Sequence, residues 1–276
     1  MSSDNPFFSI IIPTFNSEKV IGRCLDSIVS QCFQNYEVVI VDGLSNDKTT
    51  DIVKGFASVN SKIKLFSQKD KGTYDAMNRG IDLSTGDWIC FLGSDDELYD
   101  SNVLNIVSET PVQADEDVMY GNAIIIGDSS WAKNGDVYDG RFDFAKLLRK
   151  NICHQAIFYR RSFLNTFGLR YNLSYPLLAD WDLNLQCFAK TKFRYTDTII
   201  SKFFAGGQST VDNQDVQFSK DYLENIFRYF QLLPFDKRLE HLPTYFWPTI
   251  SSLQRRESLF RYYFEKARRK MPFKGK

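Results

Sequence analysis

The sequence has little of what metal and disulfide frameworks are built from. It contains two histidines, His154 and His241, far apart in the chain, and five cysteines, Cys24, Cys32, Cys90, Cys153 and Cys187, with no CxxC pair. An odd number of scattered thiols fits reduced core residues better than a disulfide framework or a zinc site, and two distant histidines leave any metal to oxygen ligands. Net charge is also missing, because 34 Lys plus Arg balance 34 Asp plus Glu. That excludes a chain whose main business is coating nucleic acid. The longest apolar stretches, Phe7 to Pro13 and Trp88 to Leu92, fall far short of the roughly 20 residues of a membrane-spanning helix. The N-terminal Met1-Ser2-Ser3-Asp4-Asn5 is polar and acidic where a secretory signal is basic and then apolar, so a cytosolic chain is expected. Neither GxGxxG nor GxxxxGK[ST] occurs, which excludes the usual dinucleotide and P-loop sites. There is no internal repeat and no low-complexity segment.

What is present is an ordinary globular composition: 276 residues, 43% hydrophobic and 15% aromatic. This is too apolar for disorder and sufficient for one large core or two small ones. The first hundred residues alternate β-branched runs with helix-like segments. Phe8 to Ile12, Glu37 to Val41, Ile63 to Phe66 and Trp88 to Leu92 read as strands; Ser17 to Gln31, Asp47 to Val59 and Tyr74 to Leu83 read as helices. Continuous apolar strands joined by helices predict parallel βαβ units with both sheet faces covered. Further on, Val118 to Ile126 and Gln155 to Tyr159 read as strands, giving a mixed sheet, and Asp180 to Lys190 reads as a helix with Leu183, Cys187 and Phe188 on one side. After Gly206-Gly207 the chain reads as helices.

Each early strand ends in a polar turn, and open α/β sheets bind ligands at those ends. Asp95-Asp96 directly follows a buried strand. Two adjacent carboxylates there repel unless a proton or a hard divalent cation relieves them, and such a cation bridges to a diphosphate. A simple helix cap is the plainer alternative. Asp42, at the end of another strand and followed by Gly43 and Ser45-Asn46-Asp47, suits the imide hydrogen of a uracil base, or else only shapes a turn. Acidic strand ends without a glycine-rich phosphate loop point to a nucleotide held through carboxylates and metal.

The motifs Ser9-Ile10-Ile11-Ile12-Pro13-Thr14-Phe15-Asn16, Val41 to Thr49, Asp70 to Gly80 and Gly86 to Asp96 resemble, in order and spacing, those of family 2 glycosyltransferases of the GT-A fold, in the bacterial polysaccharide branch. The resemblance implies an α/β GT-A fold: a mixed central sheet flanked by helices, followed by a helical C-terminal extension. It divides the chain into a catalytic domain, 1–205, with a nucleotide half (1–100) and an acceptor half (101–205), and an extension, 206–276. It implies that Thr14, Asn16, Asp42, Asp75, Asn78 and Asp95 bind the nucleotide sugar, and that Asp95 and Asp96 bind Mn²⁺ or Mg²⁺. Gly93 stands where many members carry a further acid. Asp180 matches the general base of the family's Glu-Asp element, although Ala179 replaces the Glu, and Asp182 is a rival on the same turn. His154, followed by Gln155, and Trp181 fall to the diphosphate or the acceptor. Phe203 to Thr210 resembles a loop that closes over the donor.

Residues 255 to 276 carry nine Lys or Arg against two Glu, a local charge of +7 that leaves −7 on the rest. With interleaved aromatics this predicts an amphipathic helix on an anionic membrane surface, or else a solvated tail. The implied activity is inverting transfer of a hexose, Glc or Gal, from a UDP-sugar to a polyprenyl-diphosphate-linked saccharide in O-antigen or capsule synthesis. The enzyme would sit at the cytoplasmic face of the cell membrane. Oligomeric state is left open. The competing expectations are a sugar nucleotidyltransferase and a GT-A module that binds nucleotide or a partner without catalysis.

Overall fold

The computed structural model describes residues 5–129, 131–206 and 215–270. Its centre is a sheet of nine strands: β1 (Phe8–Thr14), β2 (Tyr36–Asp42), β3 (Ile63–Ser67), β4 (Trp88–Phe91), β5 (Glu97–Leu98), β6 (Glu116–Ile126), β7 (Val137–Tyr138), β8 (Ile157–Arg160) and β9 (Lys192–Phe204). The order is β3-β2-β1-β4-β8-β6-β9-β5, with β7 paired to β6. The first four strands are parallel and are linked through α1 (Ile21–Val29), α2 (Thr49–Val59) and α3 (Thr73–Leu83). β8 then runs antiparallel to both β4 and β6, which makes the sheet mixed. All seven residues of β1 and all seven of β2 are buried, as expected for strands covered on both faces. In α1, Ile21, Cys24, Leu25 and Ile28 are buried at helical spacing against that sheet, each contributing about 1.5–3 kcal/mol of apolar burial.

One carboxylate ties the N-terminal ends of the four parallel strands together. Glu37, 2% exposed on β2, accepts from Ser9 Oγ (2.7 Å), Thr85 N (2.6 Å), Thr85 Oγ1 (2.9 Å) and Lys64 Nζ (2.7 Å). Gly86 packs so closely that a Cβ would lie 2.8 Å from the Ser9 amide nitrogen. The opposite ends of the strands are thereby left free to carry polar loops.

The sheet continues into a segment the sequence pattern missed. β9, 13 residues long, pairs in parallel with β6 and antiparallel with β5. Between them lie short helices α4 (Val103–Glu109), α5 (Phe144–Leu147) and α6 (Arg161–Thr166), then α7 (Ala179–Phe188). Two longer helices follow, α8 (Val216–Phe230) and α9 (Trp247–Lys270). Phe218, Tyr222 and Ile226 of α8 join the same buried cluster as Leu183 and Cys187 of α7. Asp182 belongs to this helix contact: it is 1% exposed and accepts from Tyr229 OH (2.8 Å), Gln186 Nε2 (2.8 Å) and Asn225 Nδ2 (3.2 Å). Burial pushes its carboxyl up, despite those donors. It is engaged by Asn225 and Tyr229 of α8. Among the described residues no helix is long and apolar enough to cross a membrane. The expected donor loop falls partly, at 207–210, outside the described residues, as do 271–276 of the basic tail.

Candidate active site

A cavity of about 410 Å³ lies at the C-terminal ends of β1 and β4. Its floor is made by Pro13 and Thr14, and one wall by Gly93, Ser94, Asp95 and Asp96. The Thr14 hydroxyl is buried there with no hydrogen-bond partner in the protein. Phe15, 60% exposed, stands at the mouth.

Asp96 is 2% exposed; its Oδ1 accepts from Phe204 N (2.9 Å) and its Oδ2 from Gln155 Nε2 (2.7 Å). Burial first, and the neighbouring Asp95 second, push its carboxyl up to about 7. The two carboxylates converge over Gly93: a Cβ built there would lie 2.5 Å from Asp96 Oδ2 and 2.9 Å from Asp95 Oδ1. The space beside Gly93 is thus filled by the carboxylate oxygens of Asp95 and Asp96. Among the described residues no three His, Cys, Asp or Glu groups form a metal cluster by themselves. Two convergent carboxylates nevertheless fit a divalent ion that completes its shell with phosphate oxygens. Arg23 closes this corner from outside: it lies 3.6 Å from the Phe204 ring centroid and pairs with Glu97 at 2.7 Å.

His154 and Tyr74 also line the cavity, and Asp180, which does not line it, contacts both of them. Asp180, in the first turn of α7, accepts through Oδ1 from Tyr74 OH (3.1 Å) and Trp181 N (2.9 Å), and through Oδ2 from Asn151 Nδ2 (2.8 Å). His154 Nδ1 is 3.4 Å from Oδ2. Asn151 is held in turn by Asn184 (2.8 Å), which accepts from buried Tyr159 (2.6 Å). The carboxylate is therefore oriented by a polar chain that begins in the core.

Four of the expected donor residues do not line the cavity. Asn16, at φ 50°, bridges two loops by donating its amide to Ser45 Oγ and accepting from the Asn46 amide. Asp42 is fully buried and its oxygens are taken by Ser45 and Ser67. Asp75 accepts from the Lys71 amide and pairs with Arg79. Asn78 makes a reciprocal pair with the Tyr171 main chain. Each is spent on shaping the surrounding loops. Asp70 instead lines the cavity, its Oδ2 lying over Gly43. Only its place after β3 and before a glycine marked it in the sequence. Trp181 turns away from this cavity and donates its Nε1 to Leu147 O.

A mixed sheet with an acidic pocket at the C-terminal ends of its parallel strands has the architecture of the GT-A fold. The comparisons identify the family. Residues 9–167 match Glycosyl transferase family 2. A PGL/p-HBAD biosynthesis glycosyltransferase of Mycobacterium bovis is 41% identical over 217 residues, covering 76% of this chain and 82% of its own. The S. aureus TarS 1–349 structure in complex with UDP-GlcNAc shares the fold with a TM-score of 0.62 at 20% identity, covering 80% of this chain and 65% of that one. The mannosyltransferase PcManGT of Pyrobaculum calidifontis, in complex with GDP-Man and Mn²⁺, gives a TM-score of 0.57 at 15% identity, covering 93% of this chain and 76% of its own. The chain belongs to glycosyl transferase family 2 and is a glycosyltransferase enzyme.

Proposed function

We propose that the enzyme transfers a hexose, Glc or Gal, from a UDP-sugar to a hydroxyl of a polyprenyl-diphosphate-linked saccharide. Transfer inverts the anomeric centre and forms a β linkage, in the synthesis of a polysaccharide such as O-antigen or capsule. The observation that carries this reading is a pair of carboxylate groupings at one cavity: Asp95 and Asp96 in its lining, and Asp180 held by the lining residues Tyr74 and His154. A single displacement needs two such groups, one for leaving-group stabilisation and one as base. In this reading Thr14 meets the nucleoside, Phe15 offers a ring face to the base, and Asp70 makes the imide contact first expected of Asp42. Asn16, Asp42, Asp75 and Asn78 hold the loops that carry these contacts. Asp180 takes the proton from the attacking hydroxyl as the bond to the diphosphate breaks, and Tyr74 and Asn151 fix its direction. His154 orients the acceptor or the diphosphate. Asp95 and Asp96 would hold Mn²⁺ or Mg²⁺, which when bound supplies charge neutralisation for the departing diphosphate.

The catalytic domain is taken as 1–205 and the helical extension as 206–276, whose basic residues 255–276 attach the enzyme to the cytoplasmic membrane face. Deleting 255–276 and fractionating cells tests the attachment; unchanged membrane association refutes it. The activity is tested by nucleotide release from UDP-Glc, UDP-Gal, UDP-GlcNAc and GDP-Man with a synthetic diphosphate-lipid sugar. The assay is run with Mn²⁺, Mg²⁺ or chelator, for wild type, Asp96→Ala and Asp180→Ala. Metal-dependent turnover lost in both variants supports the assignment. Turnover indifferent to chelator and to both substitutions refutes it, and UDP binding without turnover favours a binding module.

A further inference from the structure

A second cavity, of about 740 Å³, opens beside the N-terminus of α7. The chain separating it from the first is short: Pro176 and Leu177 line the first cavity, Leu178 and Trp181 the second. Asp180 lies within this same stretch. Aromatic side chains line much of the second cavity: Trp181 and Phe246 are partly exposed, and Phe218 and Tyr222 are buried and packed against them. The polar tips of two of these rings are already engaged by the main chain, Trp181 Nε1 with Leu147 O at 2.8 Å and Tyr222 OH with Leu148 O at 2.7 Å. Tyr222 and Phe246 stack with centroids 5.5 Å apart and planes at 17°, and Trp181 lies 5.6 Å from Phe218 at 31°. The rings are therefore fixed platforms. Two exposed charges of opposite sign, Arg149 and Glu240, also line the cavity.

Fixed ring faces beside charged groups call for an occupant with an apolar face and a hydrogen-bonding edge. A pyranose has that form, with C–H groups over its face and hydroxyls around its rim. An alkyl or prenyl chain offers Arg149 and Glu240 no hydrogen-bonding group, whereas sugar hydroxyls offer partners to both. The volume is in the roughly 300–1,000 Å³ range of small-molecule sites, with room for a sugar and part of its neighbour. We propose that this cavity is a saccharide subsite that holds a pyranose of the acceptor next to the unit whose hydroxyl meets Asp180. The proposal rests on the reading of Asp180 as the acceptor-side base.

The test is saturation-transfer NMR on the full chain, with methyl and octyl glycosides of glucose, galactose, N-acetylglucosamine and mannose as probes. The expected result is saturation of ring C–H protons by at least one methyl glycoside, undiminished by UDP and by Asp180→Asn. Affinity should fall about tenfold in Phe246→Ala and in Arg149→Ala, the second altering only an exposed side chain. Saturation confined to the octyl chain identifies a lipid site and overturns the proposal. So does the absence of ring contact with every glycoside, or a monomer–dimer equilibrium in sedimentation that shifts with Phe246→Ala while glycosides do not bind. Binding is read here without turnover, so failure of the subsite is separate from failure of the base assignment, which is scored by transfer in Asp180→Asn.

Discussion

Replacing Glu37 by Gln removes one charge from the clamp at the N-terminal ends of the parallel strands and leaves its shape intact. Burial alone would push this carboxyl up; the Lys64 ammonium, the Ser9 hydroxyl and the Thr85 amide and hydroxyl overcome that and hold it down from 4.5 to about 2. At about 1.4 kcal/mol per tenfold change in proton affinity, the ionised group contributes about 3 kcal/mol to folding. Because the folded value is the lower one, that stability is present above the unfolded value of 4.5 and is lost as the pH falls toward about 2. Urea unfolding followed by tryptophan fluorescence should therefore find Glu37→Gln about 3 kcal/mol less stable than wild type at pH 7, with the gap shrinking to about 1 kcal/mol at pH 3. A gap of the same size at both pH values, or one well below 1 kcal/mol at pH 7, would refute the clamp.

Three further outcomes follow from the site. Thr14→Val should leave unfolding stability unchanged or raise it by about 1 kcal/mol, since the lost hydroxyl has no partner in the protein, while raising KM for the donor; a stability loss with unchanged KM contradicts the ligand-facing role. Tyr74→Phe removes a hydroxyl whose one hydrogen is shared between Leu177 O (2.8 Å) and Asp180 Oδ1 (3.1 Å), and should lower kcat by less than about tenfold, the equivalent of a full charge-assisted bond of about 1.5 kcal/mol, with donor KM unmoved; steady-state kinetics decide. Gly93→Ala places a Cβ 2.5 Å from Asp96 Oδ2, and should raise the Mn²⁺ needed for half-maximal transfer about tenfold while lowering stability by about 1–3 kcal/mol; equal Mn²⁺ dependence would show that the carboxylate convergence is not used.

The first hundred residues were legible because parallel strands buried on both faces appear as unbroken apolar runs, as in Ile10-Ile11-Ile12 and Val38 to Val41. β9 was not, for a physical reason. Most of its residues, from Lys192 to Phe204, are only partly buried, and its pairing with β6 shifts register at three places, which breaks the period of two. The two-residue β5 exists only through its pairing with β9. In the site, acids at strand ends were readable as a class, but not which of them meets the cavity. Asp42 and Asn78 differ from ligand-facing residues only in partners, Ser67 and Tyr171, that lie 25 and 93 residues away. Tyr74 escaped notice as a support for Asp180 because 106 residues separate the two. The aromatic cavity likewise joins the residues just after α5, together with α7 and α8, to the segment that leads into α9, a meeting that no local pattern encodes.

The polar cradle of Asp180 also sets an order in time. Its donors come from Tyr74 and Asn151, and α7 beneath it is secured by the buried Asp182 contacts to Asn225 and Tyr229 of α8. The ribosome delivers the donor wall first, and domains fold as their segments emerge. A nascent chain that has exposed only the early strands holds every carboxylate of that wall yet lacks an oriented base. Asp96 itself waits for Gln155 and Phe204, so in the proposed mechanism the capacity to react arrives only when the later strands have closed the wall and α8 has closed on α7.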